Sequence, residues 1–210
     1  MFKNIALLLC VTALIACSPL AMATPIPPGT LPPGIPIATG SLAGLTLVGT
    51  LDGTFSNASI AGTTQSQVFL DPDGHYDFTI QVTSLTKGTL ERVTTFDYPG
   101  FVTTDVYNVL ENSNVPFLVA DRSPSGDTVG SDITILTGQA SDILLIKTNA
   151  ISFDSLGNMG ESDGITANTP AFEPLAVVPE PATGVLLAGF VLGLGGAASY
   201  RRLRSLFVPM

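Results

Sequence analysis

Two groups of side chains have types and spacings that could support chemistry. The first is Gly160-Glu161-Ser162-Asp163-Gly164, which matches the G-x-S-x-G pattern around a serine nucleophile. That pattern requires a strand before the serine, a helix after it and a histidine later in the chain. No helical pattern follows Gly164, and the only histidine, His75, lies upstream. We therefore expect no serine hydrolase, assign no catalytic residue and predict that the chain is not an enzyme.

The second group is acidic. Asp71, Asp73 and Asp77 are candidate ligands for calcium, which takes 6 to 8 oxygen ligands, although their spacing departs from that of an EF-hand loop. Asp71-Pro72-Asp73-Gly74 is also typical of a type I turn, with His75 facing solvent in a hairpin. We favour the turn and keep the three aspartates as calcium candidates. One histidine without cysteines cannot supply a typical zinc site, and we predict no cofactor.

Charge is distributed unevenly along the chain. All 17 acidic residues lie between Thr24 and Pro181, together with only four of the eight basic residues. Such an acidic surface repels phosphate groups, so we expect no nucleic-acid partner. The other four basic residues flank two apolar segments at the chain ends, and their placement predicts topology. These four are Lys3, Arg201, Arg202 and Arg204.

Residues 1–23 have the pattern of a secretory signal peptide. Lys3 precedes the apolar run 5–16, which is shorter than the roughly 20 residues that a membrane span needs. Ala21 and Ala23 then supply the small residues of a signal-peptidase site. Cleavage there would leave no cysteine and hence no disulfide. Alternatively, Leu14-Ile15-Ala16-Cys17 resembles a lipobox, after which Cys17 would be lipidated.

The C-terminal end combines three features in order. Val178-Pro179-Glu180-Pro181 precedes the uncharged segment 182–200, which is long enough as a helix to span a bilayer. An arginine-rich end follows, so the positive-inside rule predicts a cytoplasmic tail at 201–210 and an acidic domain outside. The triplet resembles the PEP-CTERM sorting signal of exported bacterial proteins. An ordinary type I membrane anchor is the alternative.

The resemblance covers residues 178–204 and implies a partner, an exosortase-type membrane transpeptidase that would recognise this segment. It also implies attachment to the bacterial membrane through 182–200, followed by sorting to the cell surface or extracellular matrix. The implied sorting residues are Val178, Pro179, Glu180, Pro181, Arg201, Arg202 and Arg204.

The body between the two ends has the apolar pattern of strands. In residues 76–82, apolar Tyr76, Phe78, Ile80 and Val82 alternate with polar residues, as in a half-buried strand, whereas 143–146 is a continuous apolar run. We predict an all-β fold: an antiparallel β-sandwich at 42–169, with a single C-terminal transmembrane helix. A Pro-rich extended lead at 24–41 and a Pro-rich stalk at 170–181 flank it. Further strands are predicted at 45–51, 66–70, 92–96, 102–109, 117–120 and 133–136.

These features lead to an expectation about function. We expect an exported structural or adhesive protein of the cell surface or of an exopolysaccharide matrix. The alternative is a carbohydrate-binding or calcium-dependent lectin-like module on the same scaffold. A glycoside hydrolase, which would need two facing carboxylates, is less favoured because tryptophan is absent. Threonines at 79, 83, 94, 95, 103 and 104 are expected on solvated strand faces, where they could contact polysaccharide.

Overall fold

The computed structural model describes residues 25–98, 105–111 and 114–175, and within them the chain is all-β. No helix in this part of the chain is long and apolar enough to cross a membrane. The predicted signal peptide, the sorting motif, the span 182–200 and the arginine-rich tail lie outside the described residues. In chain order the strands are β1 (Ile35–Pro36), β2 (Ala38–Thr39), β3 (Thr46–Ser56), β4 (Ala61–Leu70), β5 (Tyr76–Lys87), β6 (Thr89–Thr95), β7 (Asp105–Val109), β8 (Val119–Arg122), β9 (Val129–Leu136), β10 (Ile143–Ala150), β11 (Phe153–Ser162) and β12 (Thr166–Pro174).

The strands form two six-stranded sheets. Sheet I has the order β1-β8-β9-β6-β11-β12, and sheet II has the order β2-β7-β10-β5-β4-β3. Every neighbouring pair is antiparallel except β2 and β7, which are parallel. The chain passes from one sheet to the other at several points, for example between β5 and β6 at Gly88, where φ is +81°. Glycine suits this corner because a side chain is strained at such a φ.

The two sheets share one hydrophobic core, as in a β-sandwich. On β5, Phe78, Ile80 and Val82 face the core and are fully buried, as the period-two pattern predicts, but Asp77 and Thr79 on the other face are buried as well. Sheet I contributes core residues such as Ile133 and Met159. Burial of these apolar side chains, at roughly 25 cal/mol per Å², is the main force that holds the sheets together.

The proline-rich N-terminal segment, predicted as an extended lead ahead of the domain, packs against the sandwich. Ile26 is 1% exposed and belongs to the core, and β1 and β2 pair with the outer strands of the two sheets. The buried guanidinium of Arg122 ties this segment down, since it donates to the carbonyls of Ile26, Tyr98 and Gly126. Proline is tolerated at a sheet edge, because the N–H that it lacks would point away from the sheet and would make no hydrogen bond within it.

The boundary between domain and stalk is also corrected. Residues 170–174, expected in the stalk, belong to β12 and pair with β11. Pro170 and Pro174 misled the prediction, but β12 is the edge strand of sheet I, where proline costs no ladder hydrogen bond. Residues 176–181 lie outside the described residues.

Candidate functional site

The G-x-S-x-G pattern is part of a β-hairpin. Gly160 and Ser162 lie in the last part of β11, residues 163–165 form the turn, and Thr166 begins β12. A nucleophile elbow needs a helix after the serine, and here a strand follows instead. This geometry gives Ser162 no nucleophile elbow.

The predicted turn at Asp71 is confirmed. Asp71 Oδ1 accepts hydrogen bonds from the backbone N–H groups of Asp73 (2.9 Å) and His75 (2.8 Å), and the N–H of Gly74 donates to the Asp71 carbonyl. Gly74 has a φ of +87°, which glycine adopts without strain. The Asp71 carboxylate therefore stabilises the hairpin between β4 and β5.

Asp77 does not converge with Asp71 and Asp73 on a common ligand. Its carboxylate is buried, with Oδ1 accepting from the N–H of Thr148 (3.2 Å) and Oδ2 lying 3.7 Å from Lys147 Nζ. Burial raises its pKa to about 6, against the opposing effect of Lys147. Among the described residues no group of three or more His, Cys, Asp or Glu side chains is arranged to hold a metal ion. The calcium hypothesis for these aspartates therefore has no geometric basis.

Two other carboxyl groups, Asp97 and Asp154, lie within hydrogen-bonding reach of a third, Glu173. Glu173 Oε2 is buried and has no donor, because its neighbours Asp154 and Asp97 are themselves acceptors when ionised. Burial, followed by these two carboxyls, raises the pKa of Glu173 to about 7. Glycosidase carboxylates stand roughly 5 to 10 Å apart, so this close group does not have that geometry.

The outer surface of sheet II carries an array of polar side chains, which we call the polar face. Where residues 50–54 of β3, 63–67 of β4 and 81–83 of β5 lie side by side, their outward side chains are hydroxyls and amides with a single charge, Asp52. A shallow depression of about 380 Å³ lies against its Thr54, Thr63 and Thr83 end. The polar face consists of Thr50, Asp52, Thr54, Thr63, Gln65, Gln67, Gln81 and Thr83.

Hydrogen bonds between strands hold several of these side chains in place. Gln65 Nε2 donates to Asp52 Oδ1 (2.9 Å), and the Thr63 and Thr83 hydroxyls are 2.8 Å apart. Gln81 Nε2 donates to Glu111 Oε2 and to the Ser141 carbonyl, both at 3.1 Å. The polar face is therefore ordered before any ligand arrives, which lowers the entropic cost of binding.

One cross-strand row extends from the polar face to an aromatic side chain. Thr50 pairs with Gln67, and the row continues through Thr79 and Leu145 to Tyr107 of β7. With strands about 4.8 Å apart, the row is roughly 19 Å long. Thr79 and Leu145, in the middle of the row, are buried, so only its Thr50–Gln67 end and Tyr107 reach the surface. Hydroxyl and amide groups donate and accept hydrogen bonds, so the polar face suits a neutral polyhydroxylated chain.

A second depression, of about 360 Å³, lies on the outer side of sheet I. Its main charged group is already paired: Arg92 donates to Asp132 Oδ1 (2.6 Å) and to Asp121 Oδ1 (2.7 Å). The guanidinium lies over Gly130, where a Cβ would collide with it. Arg92 therefore has a structural role, and the polar face remains the stronger candidate site.

The sequence matches no protein-family model, and comparisons with curated proteins and with solved structures give no match. Function is therefore inferred from the residues of this chain.

Only part of the polar face was predicted from the sequence. Thr83 is exposed there as expected, whereas Thr79 and Thr95 are buried, at 2% exposure each. Thr103 and Thr104 lie outside the described residues. Residues Thr63, Gln65 and Gln67 were missed, because the residues between them are also small or polar and 61–67 shows no apolar alternation.

One further polar cluster lies inside the sandwich. It consists of Glu161, Thr169, Thr64, Ser66 and the N–H of Phe172, and we call it the seam. Glu161 is fully buried, and its Oε1 accepts from the Thr169 hydroxyl (2.6 Å), which accepts from the Thr64 hydroxyl across the sheets (3.3 Å). Nearby, the N–H of Phe172 donates to Ser66 Oγ (3.1 Å). Burial raises the pKa of Glu161 to about 7, because Oε2 has no partner to replace water.

Proposed function

We propose that this chain is an exported, non-catalytic structural or adhesive protein, sorted by its C-terminal segment to the cell surface or to an exopolysaccharide matrix. The observation that carries the proposal is the order of Val178-Pro179-Glu180-Pro181, the apolar segment 182–200 and the arginines that follow. In this proposal an exosortase-type transpeptidase recognises the motif while 182–200 is in the membrane.

Two observations support a role without turnover. The only G-x-S-x-G pattern is in a hairpin, and the close carboxyl group around Glu173 lacks the separation that glycoside hydrolysis requires. The body is an acidic β-sandwich, which suits a protein whose task is to be placed outside the cell. Proline on both sides of Glu180 would keep the motif extended, as a peptide must be in a protease cleft.

The experiment compares the full chain with Glu180→Ala in a bacterium that has an exosortase-type enzyme. We expect the unaltered chain to be shortened at its C-terminal end and to leave the membrane fraction. Glu180→Ala should accumulate in the membrane at full length. Glu91→Ala, a change to an exposed glutamate of β6, is the matched control and should behave like the unaltered chain. Full-length protein in the cytosol would contradict the proposal.

A second candidate function is binding of a neutral polysaccharide at the polar face. The favouring observation is the ordered grid of amides and hydroxyls on β3, β4 and β5. A sheet face that keeps polar side chains in fixed positions can satisfy the hydroxyls of a sugar chain without reorganisation.

Affinity electrophoresis of the full chain in gels that contain defined neutral polysaccharides tests this function. Replacing Gln65 and Gln67 by alanine should abolish any retardation, because both amides are removed from the centre of the polar face. Asn158→Ala changes an exposed amide on sheet I and should have no effect. Equal retardation of both variants would place binding elsewhere, and no retardation on any polysaccharide would exclude this function.

A further inference from the structure

The last residues of β12 are attached to β11 by a short and irregular stretch of pairing. The register between the two strands shifts before Gly157, so little of the ladder lies beyond this bulge. Pro174, which pairs there, has no N–H to donate. The N–H of Leu175 donates to the Ser152 carbonyl at 3.0 Å. Few backbone hydrogen bonds therefore hold residues 173–175, and side-chain contacts have a large influence on their attachment.

The side chain of Glu173, at this end of β12, lies beside two further carboxyls. Asp97, which follows β6, and Asp154 of β11 are both within hydrogen-bonding reach of it. The backbone at Asp97 has a φ of +68°, which is uncommon for a residue with a side chain, and Asp154 Oδ1 accepts from the N–H of Leu156 at 2.9 Å. A Cβ at Gly157 would lie 2.7 Å from Glu173 Cβ, so glycine allows this close packing. Three segments of the chain thus bring their carboxyls together.

No basic side chain in the described part of the chain is paired with this acidic group. Lys147 and Arg92 form ion pairs with aspartates elsewhere in the sandwich. Lys87 and Arg122 donate to backbone carbonyls. His75 lies beside the aspartate of its own hairpin. A negative charge on Glu173 therefore has no cation to balance it among these residues.

A buried hydroxyl close to Glu173 is also without a partner. Tyr98 is 1% exposed, and neither its hydroxyl nor Glu173 Oε2 has a hydrogen-bond partner. Burial raises the pKa of Tyr98, and the charge of Glu173 adds to this, so the hydroxyl stays protonated. Tyr98 is therefore not a second titrating group at physiological pH, and the charge of the cluster changes through its carboxyls.

We propose that the end of β12 is a pH-sensitive latch, in which residues 173–175 stay on β11 while the Glu173 carboxyl carries a proton and detach when it is ionised. The protonated carboxyl has an O–H that a neighbouring carboxylate can accept. The ionised carboxyl brings three like charges together where burial limits their screening by salt. Detachment moves Glu173 into water and separates the charges.

The direction of the change with pH follows from the surroundings of Glu173. Burial, and then the two neighbouring carboxyls, raises its pKa to about 7 in the attached strand, whereas the ordinary value is 4.5. Between these two values detachment releases a proton, so rising pH favours the detached form. Above about 7 the carboxyl is ionised in both forms, and the preference no longer changes with pH.

The latch would regulate access to the sorting motif, a consequence that rests on the proposed function. Only residues 176 and 177 lie between Leu175 and Val178. A transpeptidase must bind an extended peptide around the motif, and detachment of 173–175 adds three residues, roughly 10 Å of extended chain. Ionisation of Glu173 would therefore make the motif easier to bind.

Hydrogen exchange of the Leu175 amide, measured by NMR on the purified full chain in detergent, tests the latch. After correction for intrinsic exchange, its protection should fall by up to about tenfold per pH unit until about pH 7 and then level off, because detachment releases one proton. The N–H of Leu118, which donates to the Asp132 carbonyl at 2.9 Å in sheet I, reports opening of the whole domain.

Two substitutions separate Glu173 from the other titrating groups. Glu173→Gln keeps a side chain that can donate to a neighbouring carboxylate but cannot ionise, so the protection of Leu175 should no longer depend on pH. Glu91→Gln, at an exposed position of β6, should leave the pH dependence unaltered. Circular dichroism checks that both variants are folded.

Three results would overturn the latch. They are a protection of Leu175 that is constant with pH in the unaltered chain, a change with pH that Leu118 shares, and a change that Glu173→Gln retains. The exchange measurement does not depend on sorting, so it decides the latch even if the Glu180→Ala comparison shows no processing. Where the unaltered chain is processed, Glu173→Gln should be processed more slowly above the pKa of Glu173, and equal rates would overturn the link to the motif.

Discussion

Replacing Glu161 by glutamine should remove one defined part of the pH dependence of folding. The folded chain holds this carboxyl away from water with a pKa of about 7, whereas its ordinary value is 4.5. Glutamine has the same shape and keeps an oxygen that accepts the Thr169 hydroxyl, but it cannot ionise. The variant therefore resembles the protonated protein at every pH.

The sign and size of the effect follow from the two pKa values. Below pH 4.5 the group is protonated in both states, so it causes no penalty. Between pH 4.5 and about 7 the unfolded chain ionises first, and the free energy of unfolding falls with rising pH. Above about 7 the loss is complete, and at about 1.4 kcal/mol per pKa unit it amounts to about 3 kcal/mol.

The assay is urea unfolding of the full chain in detergent, for both proteins, from pH 4 to pH 9 in steps of about one unit, over the range where carboxyls with raised pKa values titrate. Asp77 and Glu173 also have raised pKa values, so both proteins lose stability with pH. The difference in free energy of unfolding between the two proteins isolates the effect of Glu161. It should be near zero at pH 4 and about 3 kcal/mol in favour of Glu161→Gln at pH 8. Thr169→Val removes the hydrogen bond that lowers the pKa of Glu161. The free energy of unfolding of this variant should therefore continue to fall up to a higher pH than that of the unaltered chain. A difference that stays constant across the range would refute the reasoning, because Glu161 would then be ionised in the folded chain.

Three further predictions concern stability and charge. Lys147→Met removes the cation 3.7 Å from the buried carboxylate of Asp77, so the pKa of Asp77 should rise above about 6, as measured by NMR titration of its carboxyl carbon. Arg122→Met leaves three buried carbonyls without this donor and should lower the free energy of unfolding by about 3 kcal/mol or more in urea titrations. Gly88→Ala should destabilise the chain by more than Gly74→Ala in the same assay, since both have positive φ but only Gly88 would place a Cβ against a backbone carbonyl of the β3–β4 hairpin.

The apolar alternation predicted the parts of the fold where inward residues are large. The strand predicted at 76–82 lies within β5, and the run 143–146 lies within β10, because their inward side chains fill the core. β11 and β12 were missed for the opposite reason. Gly157, Gly160 and Pro170 interrupt their apolar pattern, and only the position of β12 at a sheet edge makes proline acceptable there.

The first half of β4 was missed because its inward residues are small or polar. Gly62, Thr64 and Ser66 face the interior, and Thr63 and Gln65 face solvent, so hydropathy does not alternate. The hydrogen bonds that these hydroxyls make to Thr169 and to the N–H of Phe172 belong to residues more than 100 positions away. No local pattern contains such a contact, so the polar face on the other side of β4 was missed together with the strand.

The seam also explains how a polar interior can be stable at this side of the sandwich. A Cβ at Gly53 would lie 2.8 Å from Thr64 Oγ1 and 3.1 Å from Thr169 Cβ, so glycine is what allows β3 and β12 to approach this closely. The close approach excludes water, which makes each hydrogen bond in the seam necessary and also raises the pKa of Glu161. The short distance between the sheets at this edge is therefore the common cause of three features. They are the small residues at the seam, the buried carboxyl and the missing hydropathy signal in β4.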